Sequence, residues 1–289
     1  MSVYTIITDS ACDIAPAILA DWGVKFVSLT YHFEGSDKEY TDQDMPAPEF
    51  YQHMRKDKVA RTSAANVETF KSLIEEEFKA GRDVLYLGFS SALSATCSSG
   101  QMAIADLMEE YPQRRGIAVD TLAASAGFGL LVYLVVEKQK EGASLDEAAQ
   151  YARQMLPKMA HWFSVDDLKY LKRGGRVSAA AAFAGTVLNI KPVLHVDDEG
   201  RLVPVSKVRG RKAALTTIAD KYGELAENPG QGPVFISHGD CLEDVELLGQ
   251  MLKERFGLPA YDLITFVGPV IGAHSGPGTI ALFYIAKNK

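Results

Sequence analysis

The sequence is short of most features that declare a function outright. Cysteine occurs only three times in 289 residues, at Cys12, Cys97 and Cys241, far apart and odd in number. That excludes a disulfide framework and a zinc-finger spacing, and it fits a reducing compartment. The six histidines have no mutual spacing suited to a metal, so neither a metal nor another cofactor is expected. No Gly-x-x-x-x-Gly-Lys run occurs, and no Gly-x-Gly-x-x-Gly follows a strand-like segment, which excludes the usual nucleotide cradles. The Gly-x-Ser-x-Gly elbow of serine hydrolases is missing as well. No basic-then-apolar leader opens the sequence, because Thr8, Asp9 and Ser10 interrupt the first apolar run. The longest apolar stretch, Leu122 to Val136, is too short to span a bilayer and carries Ser125, Gly127 and Gly129. It is expected to be a buried helix, in a cytoplasmic protein.

What is present is a soluble, globular composition, 47% hydrophobic and 23% charged, in a chain long enough for two domains. The net charge of −7 hides an asymmetry. Between Lys169 and Lys212 ten Lys or Arg face only Asp197, Asp198 and Glu199, so this segment is +7 and the remainder −14. A solvated basic face is the plain explanation; a docking surface for a phosphate group or an acidic protein is the functional one. The segment has few aromatics for stacking bases and the chain is acidic, so nucleic acid is not an expected partner.

Short apolar runs alternate with helical periodicity through the first half. Val3 to Thr8 and Lys25 to Phe33 read as strands, and Pro46 or Pro48 opens a helix running to about Lys56. Val67 to Ala80 places Val67, Phe70, Ile74 and Phe78 on one helical face. Val84–Leu87 and Ile117–Val119 are further strands, each followed by helix. This alternation predicts a parallel sheet covered on both faces, a three-layer Rossmann-like domain over residues 1–160. Ligands of such sheets sit at the carboxyl ends of the strands. The polar turns Thr8-Asp9-Ser10, Gly88 to Ser94 and Asp120-Thr121 are therefore expected to cluster. From His161 onward the texture changes, with strands at Trp162–Val165, Ile190–His195, Leu202–Lys207, Val234–Ser237, Tyr261–Val267 and Thr279–Ala286. The turn Asp197 to Gly200 reads as a hairpin, and Arg211–Glu227 and Leu242–Phe256 as helices. A two-layer, mixed-sheet α/β domain is expected over residues 161–289.

The densest chemical signal is Gly88 to Ser99, in which six of twelve residues carry a hydroxyl. It joins a strand to a helix, so hydroxyls and unpaired helix N–H groups meet there, a combination that attracts anions. Capping accounts for one or two of the serines, not six.

Several segments together resemble the DegV family of bacterial lipid-binding proteins. They are Thr8-Asp9-Ser10, Thr62-Ser63, Gly88 to Thr96, Asp167 to Ser178, Lys191-Pro192-Val193-Leu194, Lys207-Val208-Arg209-Gly210 and His274-Ser275-Gly276-Pro277-Gly278. They run the length of the chain in order. The resemblance implies two α/β domains with a long-chain fatty acid buried between them. It implies a carboxylate held by the hydroxyls of Thr62 and Ser94, with Ser91 nearby and His274 beside the head group. It further implies a partner kinase that phosphorylates the bound carboxylate to an acyl phosphate, this chain acting as carrier rather than enzyme in lipid synthesis. Transient contact with a membrane surface fits that role. Two positions depart from the family pattern: Ala65 stands where proline is frequent, and Ala95 where glycine is frequent.

The residue chemistry is compatible with that expectation. A long acyl tail supplies most of its own affinity, about 0.8 kcal/mol per buried methylene. The head group then needs only neutral donors, which leave a carboxylate oxygen nucleophilic. Arg173 and Arg176 flank Gly174-Gly175 at the end of a short helix, where basic residues complement the dipole. With Lys207 and Arg209 they form the candidate partner-facing patch. The rival reading is a lipid esterase with Ser94 or Ser91 as nucleophile, His274 as base, and Asp9 or Asp120 as the orienting acid.

Overall fold

The computed structural model describes residues 4–177, 189–259 and 261–289. Val3 and Ser178, the outer ends of two segments read above, lie outside them. The chain opens with β1 (Tyr4–Asp9), a 3-10 turn at Ser10–Cys12, α1 (Pro16–Asp21), β2 (Lys25–Val27), β3 (Thr30–Phe33) and β4 (Glu39–Tyr40). There follow α2 (Ala47–Arg55), β5 (Ala60–Ser63), α3 (Val67–Lys79), β6 (Asp83–Gly88), α4 (Thr96–Glu110) and β7 (Gly116–Asp120). Next come α5 (Ser125–Lys140), α6 (Leu145–Met155), β8 (Met159–Ser164) and α7 (Leu168–Gly174). The remainder is β9 (Ile190–Val196), β10 (Leu202–Arg209), α8 (Arg211–Leu225), β11 (Val234–His238), α9 (Leu242–Phe256), β12 (Leu263–Phe266), α10 (Pro269–Ser275) and β13 (Ile280–Ile285).

The first sheet is parallel, in the order β2-β1-β6-β7. Both of its faces are buried, which is why its strands read as unbroken apolar runs. Tyr4, Ile6, Leu85 and Leu87 point to the side of α5 and α6, while Ile7, Val84 and Tyr86 point to α3 and α4. Three layers result, as the alternation of elements predicts. The single strand expected over Lys25–Phe33 is two strands. Lys25–Val27 joins the parallel sheet, and Thr30–Phe33 leaves it to pair with β4 and β5 in a small antiparallel sheet. The break falls at Leu29, whose N–H donates to the Ser10 hydroxyl instead of to a strand.

The second sheet is mixed, six strands in the order β10-β9-β8-β13-β11-β12. Its outer face packs on α8 and α9 around Trp162, Ile218, Leu248 and Leu282. Its inner face carries Phe163, Leu194, Phe235, Ala281 and Phe283 and meets α5. Helix α5 is therefore enclosed on both sides, and apolar residues run all round it, as a helix with no solvent face requires. Its glycines make the enclosure possible. A Cβ at Gly127 would collide with His161 and Phe283, and one at Gly129 would lie 2.8 Å from the Cys12 carbonyl and against Ile14.

Gly129→Ala decides between two effects of known size. Alanine is worth up to about 1 kcal/mol over glycine in a helix, whereas overpacking a tight core costs about 1–3 kcal/mol. Denaturant unfolding of the variant is expected to show net destabilisation; a more stable variant would contradict this packing.

Candidate functional site

The carboxyl ends of β1, β6 and β7 do converge. Buried Asp9, at the end of β1, accepts from the Phe89 N–H at 2.9 Å and the Tyr86 hydroxyl at 3.0 Å, both from the β6 side. Burial raises its carboxyl to about 6 in spite of these donors. Thr121 donates through Oγ1 to the Gly88 carbonyl at 2.7 Å, and Asp120 accepts from the N–H groups of Ser91 and Leu122. These polar groups brace the turns against one another, and neither Asp9 nor Asp120 is in the wall of the cavity that holds Ser94.

The cavity itself lies beyond the turns, where the parallel sheet, the N-terminus of α5 and the inner face of the mixed sheet meet. It encloses about 230 Å3. Most of its wall is apolar, including Phe89, Leu93, Phe163, Val270, Ala281 and Phe283. Thr62, Ser94 and His274 all line it, so the structure brings together three of the four residues expected at a head group. The Thr62 Oγ1 lies 2.8 Å from His274 Nε2. Burial, with Arg176 and Arg61 adding repulsion, holds the His274 imidazole at about 4, so it is neutral at pH 7. Its Nδ1 is buried against Gly174, without a hydrogen-bond partner among the described residues. The two glycines after Arg173 thus serve different ends. A side chain at Gly174 would collide with His274, while Gly175 takes the left-handed conformation, φ 67°, that closes α7.

Thr62 and His274 sit on elements that sequence periodicity missed. Thr62 belongs to β5, whose residues Ala-Arg-Thr-Ser carry no apolar alternation. His274 is in the last turn of α10, a short helix with Pro269 in its first turn. That proline was the available signal.

The serine-rich turn is mostly structural. Of its six hydroxyl residues only Ser94 lines the cavity. Ser90 is buried and donates to the Gly200 carbonyl at 2.8 Å, tying the turn to the β9–β10 hairpin. Ser91, also expected at the head group, is exposed and stands outside this lining. Ser94 Oγ bonds Thr96 Oγ1 at 2.9 Å and accepts from the Thr96 N–H, and Thr96 Oγ1 accepts from the Ala65 N–H at 3.3 Å. A proline at position 65 has no N–H to give, so Ala65 supplies a link between the Thr62 loop and the Ser94 turn. Ala95 sits in an ordinary right-handed conformation, φ −73°, that does not call for glycine.

Arg176 also lines the cavity, donating to the Leu93 carbonyl at 3.1 Å and the Gly174 carbonyl at 2.6 Å. It staples the serine turn to the end of α7 at the head-group end. Arg173 is exposed beside it, over the Tyr170 ring. Lys207 and Arg209 project from the exposed side of β10, an edge strand.

The hydrolase geometry is not assembled. Ser94 bonds Thr96, His274 bonds Thr62, and among the described residues no carboxylate hydrogen-bonds the His274 ring. Sequence reading also missed four polar cavity residues, Ser125, His161, Ser237 and Thr279. His161 has the same strand parity as Phe163, and that parity was the signal that it faces inward.

Comparison with known proteins agrees with this architecture over its full length. A family model described as uncharacterised protein, DegV family, matches residues 4–287. A DegV domain-containing protein of Clostridium perfringens is 38% identical over 291 residues, spanning 100% of this chain and 99% of the relative. Among solved structures, a DegV family protein from Thermus thermophilus described as binding fatty acid superimposes with a TM-score of 0.87 at 32% identity, covering 98% of this chain and 99% of that one. A stearic acid-binding protein from Eubacterium ventriosum superimposes equally well, TM-score 0.87, at 26% identity and 98% coverage of both chains. With a family model over residues 4–287, a relative 38% identical across the whole chain and backbones that superimpose over nearly all of it, the chain belongs to the DegV family.

Proposed function

We propose that this protein binds a long-chain fatty acid in the inter-sheet cavity and presents its carboxylate to a partner kinase for conversion to an acyl phosphate. The observation that carries the binding half is the make-up of the cavity: apolar walls that end in Thr62, Ser94 and neutral His274. Family members whose structures are described as binding fatty acids support it. The tail supplies affinity by burial, about 0.8 kcal/mol per methylene, so the grip on the carboxylate has no need of a buried cation. Hydroxyl donors fix the carboxylate while leaving an oxygen free to attack a phosphoryl group. Arg173 and Arg176 at the mouth, with Lys207 and Arg209 on β10, are the proposed partner-facing charges, and their sign suits an acidic kinase surface. On this reading the chain is a cytoplasmic carrier, two domains over 1–160 and 161–289 closing on the ligand, that meets the membrane surface only transiently. It forms no chemical bond itself.

Two expectations follow. Thr62→Ala and Ser94→Ala should each weaken fatty acid binding by about 1.5–3 kcal/mol, the range for hydrogen bonds to charged groups, and weaken binding of the methyl ester of the same acid by about 0.5–1.5 kcal/mol, the range for neutral ones. Calorimetric titration with acid and ester checks this, and an unchanged affinity for the acid removes the residue from the site. The double variant Arg173→Glu/Arg209→Glu should bind fatty acid normally yet be a poor substrate carrier in a phosphoryl-transfer assay with the kinase. Normal transfer by that variant would sink the partner-facing assignment.

A further inference from the structure

Helix α10 forms one wall of the slot, and polar groups hold it at both ends. Val270, Ile271, His274 and Ser275 line the cavity, and in the last turn His274 bonds Thr62. At the other end two carboxyls, Asp13 and Asp42, close on Gly268, the residue that caps the helix. A Cβ on Gly268 would lie 2.6 Å from Asp13 Oδ1 and 3.5 Å from Asp42 Oδ2, so both acids crowd the same residue. Asp13 is 7% exposed. Among the described residues neither Asp13 Oδ1 nor Asp42 Oδ1, both enclosed, has a hydrogen-bond partner, and neither carboxyl forms an ion pair with a lysine or arginine.

The pair also stands where the sheets meet. Asp13 follows β1 and its 3-10 turn, and its Oδ2 accepts from the Ser125 hydroxyl at the start of α5. That hydroxyl lies 3.0 Å from Ser237 of β11, and the Asp13 carbonyl accepts from Thr265 of β12 at 2.9 Å. Asp42 comes from the loop after β4, in the small sheet whose β5 carries Thr62. The two acids therefore tie the start of α10 to all three sheets at once.

Two carboxyls so close and so dry are costly to charge together. Burial pushes Asp42 up to about 7, against the Ser10 hydroxyl and the Val270 N–H. Burial holds Asp13 well above the usual carboxylate range, and the neighbouring Asp42 and Asp9 carboxyls add to it. Cys12 after β1, Tyr31 of β3 and Tyr51 of α2 are the other titratable groups around the pair, all pushed up by burial and so neutral at pH 7. Helix α5 and the mixed sheet bring the hydroxyls of Ser125, Ser237 and Thr265, and α10 brings the N–H groups of Gly268 and Val270. None of these supplies positive charge. An acid that holds its proton more tightly when enclosed favours the closed form below its exposed pKa of about 4. That advantage is lost as pH rises toward the enclosed value.

We propose that the Asp13–Asp42 pair is a proton-operated latch on α10: while it holds its proton the slot stays shut, and loss of the proton frees the first turn of the helix and lets the bound acid exchange. What exchanges rests on the fatty-acid reading of the cavity; the latch itself does not.

The test reads the helix and the ligand separately, in wild type and in the double variant Asp13→Asn/Asp42→Asn, whose side chains keep their shape and cannot ionise. Amide hydrogen exchange of delipidated protein, corrected for the intrinsic effect of pH, reads the opening of α10. Each proton lost on opening raises the open fraction by up to about tenfold per pH unit. Wild-type α10 should therefore lose about tenfold or more in protection between about pH 5 and pH 7, while α9 does not, and the double variant should stay protected throughout. Release of stearic acid to phosphatidylcholine vesicles should quicken over the same range in wild type alone. Protection of wild-type α10 that ignores pH, or that falls equally in the double variant, overturns the latch and leaves the carrier reading standing. Release that ignores pH while α10 loosens overturns it as well. Where the double variant does not fold, the wild-type contrast between α10 and α9 decides. If no acid binds, the carrier reading fails, and hydrogen exchange still decides whether the pair latches α10.

Discussion

The enclosure of α5 is the constraint on which the rest of this structure depends. A helix apolar on every side has to be covered on every side, and neither sheet covers it alone. The first sheet and its α6 take one flank, and the inner face of the mixed sheet takes the other. Gly127 and Gly129 let the two flanks approach closely over the first turns. Ala124 and Ser125, where the helix begins, no longer fill the space between the sheets, and the cavity opens there. The binding slot is thus the place where a shared core runs out, not a groove cut into one domain.

The chemistry of the head-group end follows from low dielectric and neutral partners. His274 is stripped of water and sits near two arginines, so it stays neutral and bonds Thr62 rather than standing as a cation. Thr96, Ala65 and Ser94 form a short relay that holds the two hydroxyl-bearing loops at a set spacing. Deep in the wall, Ser125 donates to Asp13 and lies 3.0 Å from Ser237 across the two halves of the chain. Burial keeps the Asp13 carboxyl well above the usual carboxylate range. Among the described residues three polar atoms of the cavity wall, His274 Nδ1, His161 Nε2 and Ser275 Oγ, are buried without a hydrogen-bond partner, the two imidazole nitrogens packed against Gly174 and Gly127.

Much of the architecture was legible in the sequence because its physics is local. Unbroken apolar runs signal a doubly covered parallel sheet, and polar residues at their ends signal the face on which a ligand collects. The places where reading failed are short or irregular elements held by distant contacts. Strand β5 has no apolar period of its own; it exists because Thr30 to Phe33 pair with it. Helix α10 is one to two turns long and is set by its packing on α7 and α2. The meeting of Thr62 with His274, 212 positions apart, has no trace in spacing and came only from the family resemblance. Ser91 and Ser94 were indistinguishable as letters; in the folded turn Ser91 is exposed and Ser94 lines the cavity.

The central claim is that the space at the start of α5 holds a fatty acid. Denaturing the purified protein, extracting it with organic solvent and measuring the extract by mass spectrometry tests that claim without labels or variants. One long-chain fatty acid per chain is the expected result, and its chain length would show what the slot selects. An extract free of fatty acid, from protein that also takes up none when it is supplied, would contradict the account.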